Sequence, residues 1–524
     1  MHTSITVSQN HLIQKVFVEI TVSNKEKAHY IKDDINSFLA IDVFPEIEKY
    51  INAMEAQWAG RTLQIPLLEM DLDVKSSSLN TELKDKITEL FKEKLSEIIN
   101  SEEASDAKTE HRPKPSWVNH QEKMLQTFIF FLENGCMPWW NSDKESVSLL
   151  ETAVFDNIIS TTGFRKNIIP ILEKAHVQER VIHQLADEQL VQFCLAILEN
   201  EALKIHFDFE RIQDLSQMNY NERVLIWRLI LEILAKHQDA SQTFLREYFS
   251  ERISKEIFRK SSLKKRKALV QILLFIKDDE TAENSTDRID KQNFRNIEDV
   301  KDVKDVKNIK NIKNVEDVEG VKASESTIEN SKNNLEHRQK ASEMIIKNQE
   351  EIFNKDGIPD EGQYVPNAGL ILIHPFLKTF FEHCNLLDKE TQQITDPELC
   401  AHLLHYIATG NTNAPEYEMI FEKFLCNIPM HQSINRHIKL SRKHKAEAGN
   451  VIESVLQNWS PMKKSSPALL QNEFLQRPGK LVVSDHDYTL TVERKTQDIL
   501  LDRLGWGVGF VKLPWKDKFM LVNW

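Results

Sequence analysis

Between Ile297 and Val321 an apolar residue falls at every third position: Ile297, Val300, Val303, Val306, Ile309, Ile312, Val315, Val318 and Val321. That period excludes most packed structures. On an α-helix three residues turn about 300°, so each apolar residue slips about 60° from the one before. About six triplets carry the stripe around the whole helix, and no single face can bury it. A strand needs a period of two, and a coiled coil needs heptads. A period of three suits a 3₁₀ or polyproline II helix, but long 3₁₀ runs are rare and this stretch has no proline. The surrounding residues 279–360 nearly lack aromatics, with Phe294 the main exception, and are dominated by Asn, Lys, Asp, Glu and Ser. Such a segment cannot bury enough apolar surface to offset the entropy of ordering it. The expectation is a low-complexity, disordered spacer over 279–360, with a triplet repeat at 297–321 that arose by slippage of a short gene repeat. A specific repeat structure or a binding segment is the alternative.

The spacer divides a chain of 524 residues, long enough for roughly two to four domains. Only 13 glycines, with abundant Leu, Ile, Glu and Lys, favour helix. The fold class expected is mainly α, multi-domain, with small α+β modules at both ends and a disordered central linker. Residues 1–100 read as an N-terminal strand-helix-strand-helix module. LIQKVFVEITV alternates as a strand, Pro45 starts a second helix, LQIPLLEMDLDV alternates again, and 81–100 form an amphipathic helix. Residues 101–116 are a polar linker. Residues 117–278 read as a helical domain, with a helix stop at Gly135, and 361–475 as another. Residues 476–524 read as a β-β-α-β-β module, with turns at SDHD and PWKDK.

A net charge of −13 gives no basic face for nucleic acid or anionic lipid. The five cysteines, Cys136, Cys194, Cys384, Cys400 and Cys426, are odd in number and widely spaced. They read as free thiols of a reducing cytoplasm. The first residues lack a basic segment followed by an apolar core, so a signal peptide is not expected. Nothing approaches ~20 uninterrupted apolar residues, so membrane insertion is not expected either.

Catalytic patterns are sparse. There is no phosphate-binding GxxxxGK[ST], no GxSxG elbow and no HExxH. GWGVG (505–509) is followed by strand residues and reads as a turn that lays Trp506 against a sheet. The best metal candidate is Glu398, His402 and His405, which share one helical face at i, i+4 and i+7, with Cys384 or His383 as a fourth ligand. The competing reading is an ordinary amphipathic helix that exposes both histidines. His374 reads as a satisfied core or cap histidine, Trp139–Trp140 as a buried anchor, and the basic cluster at 260–268 as a solvated face. No catalytic, cofactor-binding or metal residue is therefore assigned, and an enzyme is not expected.

Several blocks resemble one family, the contractile injection system tape measure proteins. HLIQKVFVEITVSNKEKAHYIKDDINSFLAIDVFPEIEKYI resembles its opening, and FIFFLENGCMPWW its Gly-x-x-Pro-Trp-Trp block. VPNAGLILIHPFLKTFFEHCNLL is similar to its Asn-Ala-Gly-Leu block, and LLHYIATG, FLCNIP, FLQRPGKL and LGWGVGFVKLPWKDKFMLVNW to later ones. Their order carries the resemblance. Residues 141–360 match poorly, and the triplet run does not match. The resemblance implies a structural role: setting inner-tube length during assembly of a phage-tail-like particle. It implies the inner tube, hub or spike and baseplate proteins as partners. It also implies a cytoplasmic location during assembly and a place inside the tube lumen. A fully helical chain would reach on the order of 790 Å as an upper bound, at ~1.5 Å per residue. A generic helical scaffold and a metal-dependent hydrolase are the other readings of the residues. Oligomeric state is left open.

Overall fold

A computed structural model describes residues 11–18, 25–55, 58, 61–72, 79, 81–101, 115–141, 148–198, 220–236 and 362–524. The expected spacer 279–360, its triplet repeat and the basic cluster 260–268 lie outside the described residues. The protein is mainly helical, with two small sheets. It divides into two units: residues 1–131 with 137–164, and residues 132–136 with 165–524. Among the described residues no helix is long and apolar enough to cross a membrane.

In the first unit, α1 (Lys25–Phe38) runs through a π-turn at Leu39–Val43 into α2 (Phe44–Glu55). Pro45 has no N–H to return to the preceding turn, and the wide turn falls just before it. Phe38, Val43 and Ile47 meet Ile87, Phe91 and Leu95 of α3 (Thr81–Ser101), which are spaced i, i+4, i+8 on one face. The strand expected over LIQKVFVEITV is not formed by its described part: residues 12–18 make no strand, and Phe17 is 86% exposed. Alternation gives strand propensity, but a strand exists only where a ladder partner exists. In LQIPLLEMDLDV only β1 (Thr62–Gln64) pairs, antiparallel with β2 (Ser116–Val118). Pro66 follows, and it has no N–H for a ladder.

α4 (His120–Asn134) opens with reciprocal caps. Asn119 Oδ1 accepts from the Glu122 N–H at 2.8 Å, and Glu122 Oε2 accepts from the Asn119 N–H at 3.0 Å. Phe128 meets Phe155 of α5 (Thr152–Ile159) edge to face.

The second unit gathers α6 (Phe164–Leu172), α7 (Ala175–Gln184), α8 (Asp187–Leu198) and α9 (Tyr220–Lys236) from before the spacer. After it come α10 (His374–His383), α11 (Pro397–Thr409), α12 (Ile420–Leu425), α13 (Arg442–Asn458) and α14 (Pro467–Leu470). α11 shows how local sequence sets a helix. Asp396 caps the Leu399 N–H at 3.0 Å, Pro397 fills the first turn, and Gly410 ends the helix at φ 75. The sheet contains β3 (Gln363–Val365), β4 (Gly479–Val483), β5 (Tyr488–Val492), β6 (Phe510–Val511) and β7 (Met520–Asn523), in the order β3-β4-β5-β7-β6. β5 and β7 run parallel, bridged by a 3₁₀ helix at Thr496–Arg503, and the other pairs are antiparallel.

Candidate functional site

The most concentrated chemistry in the second unit is a buried ion cluster that no sequence pattern announced. Pro415 starts a short 3₁₀ turn that carries Glu416, and α12 carries Lys423 one element later. α7 brings Arg180. All three side chains are fully buried. Glu416 Oε2 accepts from Arg180 Nε at 3.1 Å, and Glu416 Oε1 accepts from Lys423 Nζ at 2.6 Å. Further donors go to backbone carbonyls. Arg180 Nη1 donates to Leu132 O at 2.6 Å and Nη2 to His431 O at 2.7 Å. Lys423 Nζ donates to Met430 O at 2.9 Å and Gln432 O at 2.6 Å, which uses all three of its hydrogens. Gln184 ties the same loop, accepting from the Glu416 N–H at 2.8 Å and donating to Ile434 O at 2.8 Å.

Gly135, the expected helix stop, sits against this cluster at φ +78. A Cβ there would lie 2.6 Å from Glu416 Oε1 and 2.9 Å from Arg180 Nη2, so both backbone and space demand glycine. Next to it, burial pushes the Cys136 thiol up to about 12. Burial also lowers the Lys423 pKa, against the pull of Glu416.

A second cluster joins Asn367, His405 and Glu422. Asn367 Nδ2 donates to Glu422 Oε1 at 2.7 Å and to Glu418 O at 3.0 Å, and His405 Nδ1 donates to the same Glu422 oxygen at 3.0 Å. His402 Nε2 donates to Asn435 O at 2.8 Å, and burial lowers its pKa to about 4. Both histidines are buried rather than exposed, because α11 is apolar nearly all round: Cys400, Ala401, Leu403, Leu404, Ile407 and Ala408 are buried too. His402 thus turns to a loop carbonyl and His405 to Glu422. Glu398 is half-buried with its pKa raised by burial. Among the described residues no group of three His, Cys, Asp or Glu could hold a metal ion.

A third cluster is centred on Arg477. Its Nη2 donates to Asp498 Oδ1 at 2.9 Å and to Glu473 O at 2.6 Å, and its Nη1 to Glu493 O at 2.9 Å. Trp524 Nε1 donates to Asp498 Oδ2 at 3.1 Å, with its ring 5.9 Å from the guanidinium.

The remaining sequence candidates are packing residues. Trp506 lies against α10 and the turn before it rather than the sheet, with Nε1 donating to Leu372 O at 2.9 Å and its ring 5.2 Å from Phe376. Trp515 Nε1 donates to Leu425 O at 2.7 Å. His374 donates to Ile371 O at 3.1 Å at the start of α10. In the first unit Trp139 and Trp140 are half-buried and edge to face at 5.8 Å, and Trp140 also meets Phe130.

Gly369 makes the closest backbone approach. A Cβ there would stand 1.7 Å from Phe474 O, a carbonyl that cannot yield without moving its helix. Gly369→Ala is expected to destabilise the second unit by about 2 kcal/mol or more. Equal urea midpoints for variant and parent would contradict that close approach.

These clusters draw on stretches far apart in the chain: 132–136, 176–184, 367–377, 402–410, 416–437 and 473–524. Arg180 and Glu416 escaped sequence reasoning because nothing local links residues 236 positions apart. The one available signal was charge inside the apolar run MIFEKFLCNIP. Chemically the arrangement is a set of buried cross-ties, in which His405 Nε2 and Glu422 Oε2 have no hydrogen-bond partner among the described residues. The family model described as contractile injection system tape measure protein matches residues 10–524. The match therefore spans residues 141–360, where the block resemblance is poor, and the triplet run, where there is none. No curated protein and no solved structure is matched by the chain.

Proposed function

The chain belongs to the contractile injection system tape measure protein family, and from that premise we propose that it sets inner-tube length as the spacing between recognition modules near its ends. The role of the family is structural, in particle assembly and tube-length determination. The observation that carries the assignment is the match over residues 10–524. The finer reading adds the parts. The module boundaries read from the sequence, 1–100, 117–278, 361–475 and 476–524, are kept as part of the proposal. The last two are treated as one anchor, since β3 hydrogen-bonds to β4. The partners proposed are the inner tube and the hub, spike and baseplate proteins, met in the tube lumen.

The buried clusters support an anchor that stays folded. Arg180, Glu416 and Lys423 have no exposed surface and are tied to one another and to backbone carbonyls, so their chemistry supports cohesion rather than turnover. A folded anchor also means that the fully helical reach is never attained. Reach then depends on the residues between the modules, above all 279–360. Shortening that segment should shorten the tubes, as measured by electron microscopy of purified particles. Tubes of unchanged length in normally assembled particles would remove the segment from the ruler.

A further inference from the structure

Residues 279–360 can set a spacing only if the chain on their two sides comes apart. In the structure those two sides are joined. α9 ends at Lys236, β3 begins at Gln363, and both belong to the second unit. The chain between them, whatever its conformation, leaves one folded unit and returns to it. While that unit stays closed, a longer segment only makes a longer loop. The distance from α6–α9 to the anchor that follows is then the same at any segment length.

The closure runs along one face of α7. Arg180, His183 and Gln184 are spaced i, i+3 and i+4, and each is tied to residues 416–436 of the anchor. Arg180 donates to Glu416 and to His431 O. His183 Nδ1 and Ser433 Oγ are 2.9 Å apart, and His183 O accepts from the Arg436 N–H at 3.0 Å. Gln184 donates to Ile434 O, and its side-chain oxygen accepts from the Glu416 N–H. These ties are all polar, the character of interfaces that allow relative motion within a chain. The anchor keeps its own ties without α7. Glu416 retains Lys423, and the clusters around His405 and Arg477 lie wholly after residue 361. Separation also returns Arg180 to water, whereas deleting Glu416 strands it in the core.

We propose that the α7 seam is a latch, closed in the free chain and open in the particle, whose release lets residues 279–360 separate α6–α9 from the anchor. The proposal rests on the tape measure reading and adds to it the step that turns a closed loop into a spacer. Attachment of the two sides at separate places on the particle drives the opening, because binding shifts an equilibrium only by its preference for one state.

Spin labels on the full chain test it, placed at Glu188→Cys in α8 and Lys389→Cys in the anchor. Both positions are exposed, and the five native thiols are buried. Pulsed electron resonance should give one short distance in the free chain, and purified particles should lose that population. A short distance that persists in the particles overturns the proposal. A second variant locates the latch. His183→Ala with Gln184→Ala leaves the Arg180–Glu416 pair in place and should move part of the free chain to long distances, with helix content by circular dichroism unchanged. Distances equal to the parent's place the closure elsewhere and overturn the assignment to α7. A closed seam in particles whose tube length follows residues 279–360 removes the latch and leaves the ruler. An open seam in particles whose length ignores that segment removes the ruler and leaves the latch.

Discussion

Glu416→Ala is expected to lower the stability of the second unit by about 3–5 kcal/mol, the range for breaking a buried ion pair from one side. The substitution leaves Arg180 and Lys423 as two fully buried cations with no carboxylate between them. It also opens a cavity where Glu416 packs against Gly135. Replacing all three by apolar residues of similar volume should recover only part of the loss. In many buried ion pairs such a swap is neutral or better. Here Arg180 and Lys423 also satisfy the carbonyls of Leu132, His431, Met430 and Gln432, and an apolar core would leave these unpaired. Urea unfolding followed by the fluorescence of the buried Trp459 and Trp515 measures both effects. A loss under about 1 kcal/mol for Glu416→Ala would mean that the cluster does not hold the unit together.

Mild acid should weaken the same unit. His183 and His402 have folded pKa values lowered to about 4, chiefly by burial, from an ordinary 6.5. The unfolded chain therefore takes up protons that the folded chain refuses. Stability is full above about pH 6.5 and falls as pH drops toward 4, by about 1.4 kcal/mol per pH unit for each histidine. His176, His431 and His437 shift the same way, chiefly by burial and further by the cations Arg180, Lys174, Lys423, Arg436 and Arg223. Glu416 and Asp187 pull in the other direction, on His183 and His437. Glu398 and Glu418 have raised pKa values, so their contribution grows as pH falls and offsets part of the loss. The urea midpoint should decline steadily from pH 7 to pH 4.5. His402→Gln, which keeps a donor for Asn435 O, should flatten that slope. A midpoint level across this range would contradict the burial of these histidines.

Local chemistry made some elements readable. Asp396, Pro397 and Gly410 mark α11 at both ends, and Pro45 marks the start of α2. Long-range chemistry was not readable. The face pattern of ELCAHLLHY suggested exposed histidines or a metal site, because sequence shows which residues share a face but not whether the opposite face is also covered. LIQKVFVEITV alternates like a strand, yet no described residue supplies its ladder. Nothing in the local sequence sets Arg180 apart, and its partner Glu416 lies 236 positions along the chain. The short family-like blocks were legible as blocks. Their physical meaning, the glycines and polar side chains that let distant segments close on one another, appeared only in three dimensions.

The central claim is that tube length is set by the residues between the modules, and tube length itself tests it most directly. In particles assembled with residues 279–360 duplicated, electron microscopy should show tubes longer by roughly 120 Å if the added residues are helical and up to about 270 Å if they are extended. A partial deletion should shorten tubes at the same length per residue. Normally assembled particles of parental length in both cases would contradict the account.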